Sequence, residues 1–217
     1  LWQLFLMQAT RSLRMLHAFV ALFLVLPAQA ILVPRCDPTA FENLGAFKRG
    51  SQGSITAVRH HRTGQMYAQK AFKTDGDYLR ELAALSLLPA HPNIITALCA
   101  GDRAIIYELA ESNLLETSTA NLGALSQQVM NLISGVQAMH ASRVLHGDIK
   151  PLNAVLFPDG RVALIDFGFA GPTLRCRFGT RGFMAPELLD PQCRPQMLGP
   201  AVDWYAVGVS VFVVYAR

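Results

Sequence analysis

Asp148, Lys150 and Asn153 fall within a span of six residues in the segment HGDIKPLNAVLF. An Asp beside a nucleophilic hydroxyl can orient the hydroxyl and accept its proton. A neighbouring Lys can neutralise the charge of a transferring phosphoryl group, and an Asn oxygen can bind a hard cation such as Mg²⁺. These residue types on one tight loop therefore favour phosphoryl chemistry.

A second acidic residue follows at a distance that fits the same chemistry. Asp166 lies 13 residues after Asn153, in the segment LIDFGFAG, directly after an apolar run. Gly168 frees the backbone there, so the carboxylate is suited to hold a metal ion against phosphate oxygens. A short motif such as Asp-Phe-Gly is common by chance. The motifs in this order, closed by MAPELL at Met184–Leu189, are specific as a set.

Short strands and then helices must position these side chains. Alternating segments separated by Thr63-Gly64 predict a hairpin, and apolar residues at helical spacing predict three helices. Asp159-Gly160 predicts a turn between two small strands. The predicted strands cover 53–61, 65–72, 103–110, 154–157 and 162–165, and the helices cover 78–88, 125–142 and about 201–215. This order predicts an α+β fold with a β-rich lobe followed by an α-rich lobe.

Together these motifs resemble those of the eukaryotic protein kinases, over roughly residues 41–215. The resemblance implies a bilobal fold, with an N-lobe at about 41–110 and a C-lobe at about 111–217 that lacks the last helices. It implies ATP and Mg²⁺ as cofactors and a protein as substrate. It assigns Asp148 and Lys150 to catalysis, and Asn153 and Asp166 to the metal.

The resemblance also implies a nucleotide site. Lys70, in YAQK, matches the strand lysine that holds the α- and β-phosphates, and Glu81 is its predicted helix partner. Only 11 residues separate the two, which is short for the family. In the phosphate-covering loop KRGSQGSI, Lys48 stands where the family has its first Gly. The remaining predicted nucleotide contacts are Gly50, Gly53, Ile55, Ala68, Glu108, Ala110 and Val155.

Gly147 stands where the family usually has an Arg. That Arg takes no part in the chemistry; it pairs with a phosphorylated residue of the activation segment and orders it. The predicted activation segment, Asp166 to Glu187, has hydroxyls only at Thr173 and Thr180. Thr180 matches a residue that positions substrate. The sequence thus predicts a kinase that is not switched by activation-loop phosphorylation.

Lys150 and Thr180 resemble the serine/threonine branch of the family. The HGD loop is similar to that of a few subgroups, among them mitotic-checkpoint kinases and the secretory rhoptry kinases of intracellular parasites. Asp203 matches the helix Asp that braces the catalytic loop. Glu187 matches a residue that pairs with an Arg of the C-terminal helices; without that Arg, we expect a partly buried, unpaired carboxylate.

The first 30 residues have the three-part pattern of a secretory signal peptide. Arg11 and Arg14 precede an apolar stretch, and Ala28-Gln29-Ala30 supplies small residues for cleavage near Ala30. An uncleaved signal anchor in the membrane is the alternative, and mistranslated upstream sequence is a third. Both leading alternatives send residues 31–217, the predicted kinase domain, into the secretory route, where the protein would be secreted or membrane-anchored.

Composition excludes some classes of protein. Apolar residues make up 52% of the 217-residue chain and charged residues 16%, which excludes a disordered linker. The net charge of +4 comes without a basic, aromatic-interleaved run, so we predict no nucleic-acid partner. The oligomeric state is left open.

Four cysteines are compatible with the secretory route. Cys36 and Cys99 lie far apart, whereas Cys176 and Cys193 flank one segment. Disulfides are permitted in an oxidising lumen, but spacing does not determine their connectivity. Four buried thiols are the slightly favoured expectation.

Two further functional hypotheses stand beside the serine/threonine kinase. A pseudokinase-like module would bind nucleotide or partners without useful turnover, and a truncated product would not fold. Retention of Lys70, Asp148, Asn153 and Asp166 favours the enzyme.

Overall fold

A five-stranded antiparallel sheet makes up most of the first half of the structure. The computed structural model describes residues 33–49, 53–117 and 121–216, and the structural statements below refer to these ranges. The strand order is β1-β2-β3-β5-β4. The strands are β1 (Phe41–Arg49), β2 (Gly53–His60), β3 (Met66–Phe72), β4 (Ala97–Gly101) and β5 (Ala104–Glu108).

The predicted hairpin and its register are central to the site. Gly64 adopts a positive φ of 70° in the turn between β2 and β3, as a tight hairpin requires. The ladder then pairs Lys70 with Ile55 on one side and with Ile105 on the other. Strands β1 and β4 were not predicted, because Gly45 interrupts the alternation of β1 and β4 is short and rich in small residues.

Helix α1 (Asp75–Leu87) follows the sheet and carries Glu81. It begins where the Thr74 hydroxyl accepts a hydrogen bond from the Asp77 amide, which satisfies an unpaired N–H of the first turn. It buries Ala84 and Leu85 on one face, and Glu81 lies on that face with 1% exposure. The helix therefore directs a carboxylate into the protein interior.

The second half is mainly helical and confirms the α+β class. The elements are β6 (Ser112–Asn113), α2 (Leu122–Ala141), β7 (Ala154–Leu156), β8 (Val162–Leu164), α3 (Pro186–Leu189) and α4 (Ala201–Tyr215). The small sheet joins its strands in the order β6-β7-β8, and β7 and β8 form the predicted hairpin at Asp159-Gly160.

One contiguous apolar core joins α1, β5, α2 and β8. Ile105 and Leu164 are completely buried, and Leu132 of α2 is 2% exposed. Burying side chains of this size stabilises a fold by about 1.5–3 kcal/mol each. The loop between α2 and β7, which carries Asp148, is thus held between two elements that both contribute side chains to this core.

Helix α4 is apolar on more than one face. It buries Val202, Ala206 and Val207. Its aromatic side chains at Trp204, Tyr205, Phe212 and Tyr215 are exposed by 36%, 44%, 72% and 44%. In the described ranges, no helix combines the length and the hydropathy that crossing a bilayer requires. The predicted signal peptide or anchor lies outside these ranges.

The structure contains two disulfides, so the expectation of four free thiols was wrong. Cys36 is bonded to Cys99, which ties the segment before β1 to β4. Cys176 is bonded to Cys193, which ties the activation segment to the chain beyond α3. The Cys36 amide also donates a hydrogen bond to the Ala100 carbonyl, so the two segments lie side by side. Such proximity depends on the tertiary fold and is not visible in the spacing.

Removing either disulfide is expected to destabilise the fold, and the effect should be larger for the disulfide that closes the longer loop. The sequence separations are 63 and 17 residues. Loop-closure entropy predicts losses of about 4 kcal/mol for Cys36→Ser/Cys99→Ser and about 3 kcal/mol for Cys176→Ser/Cys193→Ser. Guanidinium unfolding of both double variants measures this. Variants as stable as the oxidised parent would show that these cysteines are not bonded.

Candidate active site

A cavity of about 680 Å³ lies between the sheet and the helical half. Its wall brings together polar groups from β3, α1 and the two loops that flank β7 and β8. Most of the sequence-predicted residues line it: Gly53, Ile55, Ala68, Lys70, Glu81, Glu108, Ala110, Asp148, Lys150, Asn153, Val155, Asp166 and Thr180. Among the remaining predictions, Asp203 and Glu187 lie elsewhere, and Gly50 is outside the described residues.

Lys70 bridges two carboxylates from different elements. Its Nζ lies 2.6 Å from Glu81 Oε2 and 2.8 Å from Asp166 Oδ1. The other oxygen of Glu81 accepts a 2.9 Å hydrogen bond from the Tyr107 hydroxyl. The short span between Lys70 and Glu81 therefore does not prevent the ion pair.

Burial and charge act in opposite directions on this cluster. Burial disfavours the charged form of Lys70, but Glu81 and Asp166 outweigh it and raise the pKa of the ammonium. Burial likewise opposes ionisation of Asp166, yet Lys70 lowers the pKa of that carboxyl. For Glu81, burial dominates and raises the pKa despite Lys70. One ammonium thus serves two carboxylates, and the more deeply buried carboxylate gains less from it.

Glu81→Gln is expected to raise the melting temperature at neutral pH. The raised pKa means that the ionised carboxylate is less favourable in the folded than in the unfolded protein. Gln removes this charge but leaves Lys70 with one fewer charged partner. The thermal advantage should disappear as the pH falls below 4.5, the ordinary pKa of a glutamate, because Glu81 is then protonated in both the folded and the unfolded protein. Thermal unfolding at pH 7 and pH 4 measures this, and a lower melting temperature at pH 7 would contradict it.

A second cluster forms around Asp148, which is 5% exposed. Asp148 Oδ1 accepts a 2.8 Å hydrogen bond from the Thr180 amide, and Oδ2 accepts from Lys150 Nζ at 2.6 Å. Lys150 Nζ also donates to the Thr180 hydroxyl at 2.8 Å. The lysine therefore fixes the carboxylate and the activation segment relative to each other.

Asp203 of α4 braces the loop from below. Its carboxylate accepts hydrogen bonds from the amides of His146 and Gly147, at 2.8 and 2.9 Å. His140 of α2 contributes a third contact to Oδ2 at 2.8 Å. The buried carboxylate thus holds two successive peptide groups, which sets the direction in which Asp148 leaves the backbone.

Asn153 and Asp166 offer oxygen atoms suited to Mg²⁺. The Asn153 amide nitrogen donates to the Asp148 carbonyl at 2.9 Å, so the amide oxygen is the acceptor left for a cation. A 3.0 Å bond from the Ile165 amide to the Asn153 carbonyl holds the two segments side by side. Asp166 has a φ of 65°, the left-handed region. The donor set fits the metal that the sequence predicts.

Apolar side chains and the segment 108–110 at the end of β5 surround the far end of the cavity. Ile55, Ala68 and Val155 lie on β2, β3 and β7. The Glu108 carboxylate is turned away to Arg161, at 2.6 Å. Within the described ranges, the amide of Ala110 donates no hydrogen bond, so this N–H is available to a planar ligand between the apolar walls.

Gly53 has a structural requirement of its own. It lies in β2 opposite Phe72, and a Cβ added there would meet the Ala71 carbonyl oxygen at 1.9 Å. A glycine is therefore required for the packing of β2 on β3, whatever ligand the cavity binds.

Gly147 adopts a left-handed φ of 78°, and Leu174 covers it. An added Cβ would lie 2.8 Å from Leu174 Cδ2 and 3.4 Å from the Phe169 carbonyl. Leu174 is 4% exposed and packs with Leu145 in a separate apolar cluster. A hydrophobic contact thus occupies the place next to residue 147.

Glu187 is exposed on the one-turn helix α3, so the expectation of a partly buried carboxylate was wrong. The apolar neighbour Leu188 supplies the buried side chain of this turn, at 3% exposure. A solvated carboxylate carries no desolvation penalty.

Tyr107, His140 and Arg161 were not predicted; they orient Glu81, Asp203 and Glu108. Their partners are far away in the chain, and none of the three belongs to a short motif. A buried carboxylate needs hydrogen-bond partners, so the sequence indicates that partners exist. It does not indicate which residues they are.

Comparisons with known proteins agree with this geometry. The family described as protein kinase domain matches residues 41–217. Human cyclin-dependent kinase-like 2 is 31% identical over 193 residues, covering 79% of this chain and 38% of that protein. Mouse sperm motility kinase 2A is 31% identical over 189 residues, covering 79% and 37%. The mouse liver/testis phosphorylase b kinase gamma catalytic chain is 28% identical, covering 77% and 48%.

The chain thus spans between about a third and a half of the length of these relatives. The family match covers most of the chain and includes both polar clusters that line the cavity. The chain belongs to the protein kinase family.

Proposed function

We propose that this chain is a serine/threonine protein kinase, which transfers the γ-phosphoryl group of ATP to hydroxyl groups of proteins with Mg²⁺. The observation that carries the proposal is the convergence of two clusters on one cavity. Lys70, Glu81 and Asp166 form the first cluster; Asp148, Lys150 and Thr180 form the second.

The two clusters divide the work between donor and acceptor. Lys70, a charged donor with a raised pKa, binds phosphate oxygens at the end of the cavity near β3. Asp148 orients the acceptor hydroxyl and accepts its proton as the new bond to phosphorus forms. Lys150 neutralises the charge that develops on the transferred group. The apolar walls and the Ala110 amide hold the adenine ring of ATP.

Asn153 and Asp166 would hold Mg²⁺, which shields phosphate charge and keeps the transferred group in line. Asp166 would give up part of its contact with Lys70 in that role. Because its pKa is lowered, the carboxyl is ionised at neutral pH and ready to bind a cation.

Specificity for serine and threonine is supported by the bridge between Lys150, Asp148 and Thr180. The lysine occupies the space directly beside the catalytic carboxylate, at 2.6 Å. A short acceptor side chain must therefore approach Asp148 closely, and a bulky phenol would have to displace this contact.

Regulation without activation-loop phosphorylation is part of the proposal. Leu174 packs against Gly147, and the Cys176–Cys193 disulfide ties the same segment to the chain beyond α3. These two contacts supply the ordering that an Arg–phosphate pair would supply. Thr173 is exposed, and residue 147 has no side chain to receive a phosphate.

We also propose that the protein acts in the secretory pathway or outside the cell. The two disulfides support this, since disulfides persist in oxidising compartments. The predicted signal sequence in residues 1–30 gives the same direction. Alkylation of the secreted protein before and after reduction tests it: four cysteines protected until reduction are expected.

The test of activity is transfer of labelled phosphate from ATP to peptides that differ only in Ser, Thr or Tyr. The full chain is assayed with and without Mg²⁺, beside an Asp166→Asn variant. Transfer to Ser and Thr that requires Mg²⁺ and is lost in the variant is the expected result. A folded chain that binds nucleotide without transfer would support the binding module instead.

A further inference from the structure

The activation segment carries an unusual concentration of arginines. Arg175, Arg177, Arg181 and Arg194 all lie in or next to the loop closed by the Cys176–Cys193 disulfide. We call them the arginine surface. All four are exposed, and among the described residues none lies within ion-pair distance of a carboxylate. By contrast, Arg59 and Arg161 are paired with Glu42 and Glu108.

The fold brings the arginine surface close to the cluster formed by Asp148, Lys150 and Thr180. Thr180 contacts both Asp148 and Lys150, and Arg181 follows it directly. The Cα atoms of Cys176 and Cys193 are 5.9 Å apart, so the disulfide brings Arg194 next to Arg175 and Arg177. Arg181 therefore follows the residue that contacts Asp148 and Lys150, and the other three arginines lie in or next to the same disulfide-closed loop.

The nearby carboxylates do not neutralise this charge. Glu187 and Asp190 are the acidic residues between positions 175 and 194, against four arginines. Both are exposed, and neither forms an ion pair with an arginine. Arg175 packs over the Phe178 ring at 5.7 Å, a contact that leaves its N–H groups free to donate. A net positive field remains beside the catalytic carboxylate.

We propose that the arginine surface binds anionic side chains next to the acceptor hydroxyl, so that the preferred substrates are acidic peptides. This inference rests on the proposed kinase function. Guanidinium groups bind carboxylates and phosphates in a two-pronged geometry, and each such bond to a charged group is stronger than a neutral one. The anion can be Asp or Glu of the substrate, or a phosphate already attached to it.

Several bonds of this kind are expected to raise kcat/KM by about tenfold or more for an acidic peptide over a neutral one. Because the surface is exposed, the preference should weaken as salt rises. A peptide with Lys beside the acceptor should be the poorest substrate.

The experiment compares four peptides that share one Ser and differ in its neighbours: Ala, Asp, phosphoserine or Lys. The full oxidised chain is assayed for transfer, and peptide binding is measured separately by fluorescence anisotropy. The variant is Arg177→Gln/Arg181→Gln/Arg194→Gln. The matched control is Arg62→Gln, which removes an exposed arginine from the turn between β2 and β3.

The expected result is a preference for the Asp and phosphoserine peptides that falls toward 1 in the triple variant and persists in Arg62→Gln. A preference for phosphoserine alone would identify a pre-phosphorylated substrate as the source of the anion. Equal kcat/KM and equal binding for all four peptides would overturn the proposal while leaving the kinase function intact. Arginine-dependent binding without transfer would support the surface and contradict the kinase function.

Discussion

Asp148→Asn is expected to lower the single-turnover rate of phosphoryl transfer by about 10²–10⁴-fold, because the variant has no base for the acceptor proton. The parent carboxylate accepts from three donors, namely the Thr180 amide, Lys150 Nζ and the Asn153 amide nitrogen. A carboxamide has one acceptor oxygen, so its NH₂ group must face one of these donors. The loss of the base is therefore accompanied by a disturbed contact to Lys150 or Thr180.

Nucleotide binding separates this effect from general damage. The first cluster, around Lys70, does not contact Asp148, so a fluorescent ATP analogue should bind the variant and the parent with similar affinity. Quenched-flow transfer and fluorescence titration on the same preparation make the comparison. Transfer within threefold of the parent would remove Asp148 from the role of base.

Gly147→Arg, which introduces the Arg that is usual in the family, is expected to destabilise the chain by about 2–5 kcal/mol. A side chain at a φ of 78° costs about 1–2 kcal/mol. Forcing Leu174 out of its position 2.8 Å from the new Cβ adds about 1–3 kcal/mol of overpacking. Displacement of Leu174 also loosens the activation segment, so transfer should fall rather than rise.

Gly160→Arg is the matched control for the cost of placing a side chain at a positive φ. Gly160 has a φ of 81°, but an added Cβ there meets nothing within 4 Å. Denaturant unfolding of both variants gives the cost of the Leu174 contact as the difference between them. A second variant, Gly147→Arg/Leu174→Ala, should relieve part of the clash and so recover part of the lost free energy of unfolding. Equal stability of Gly147→Arg and Gly160→Arg would show that Leu174 does not restrict residue 147.

Features that depend on local sequence were predictable. The tight loop with Asp148, Lys150 and Asn153, the α+β class and the kinase family all follow from short motifs and their order, and the structure and comparisons confirm the class and the family. The β2–β3 hairpin and helix α2 follow from Gly64 and from regular apolar spacing. In these cases the residues that decide the structure lie close together in the chain.

Features that depend on distant partners were not predictable. The Tyr107–Glu81 hydrogen bond and the Cys36–Cys99 disulfide join segments that only the assembled sheet brings together. Family position suggested partial burial of Glu187, but the local turn places Leu188 inward and Glu187 outward. Spacing alone does not contain the direction in which a side chain points in a single helical turn.

The Cys176–Cys193 disulfide also closes residues 176–193 into a covalent ring that contains Thr180 and the exposed residues Arg177 and Arg181. A protease that cuts after either arginine opens the ring without separating the chain into two pieces. The cleaved protein would migrate as one chain on a non-reducing gel and as two on a reducing gel. Proteolysis at these arginines would therefore change the shape of this loop before it detaches any part of the chain.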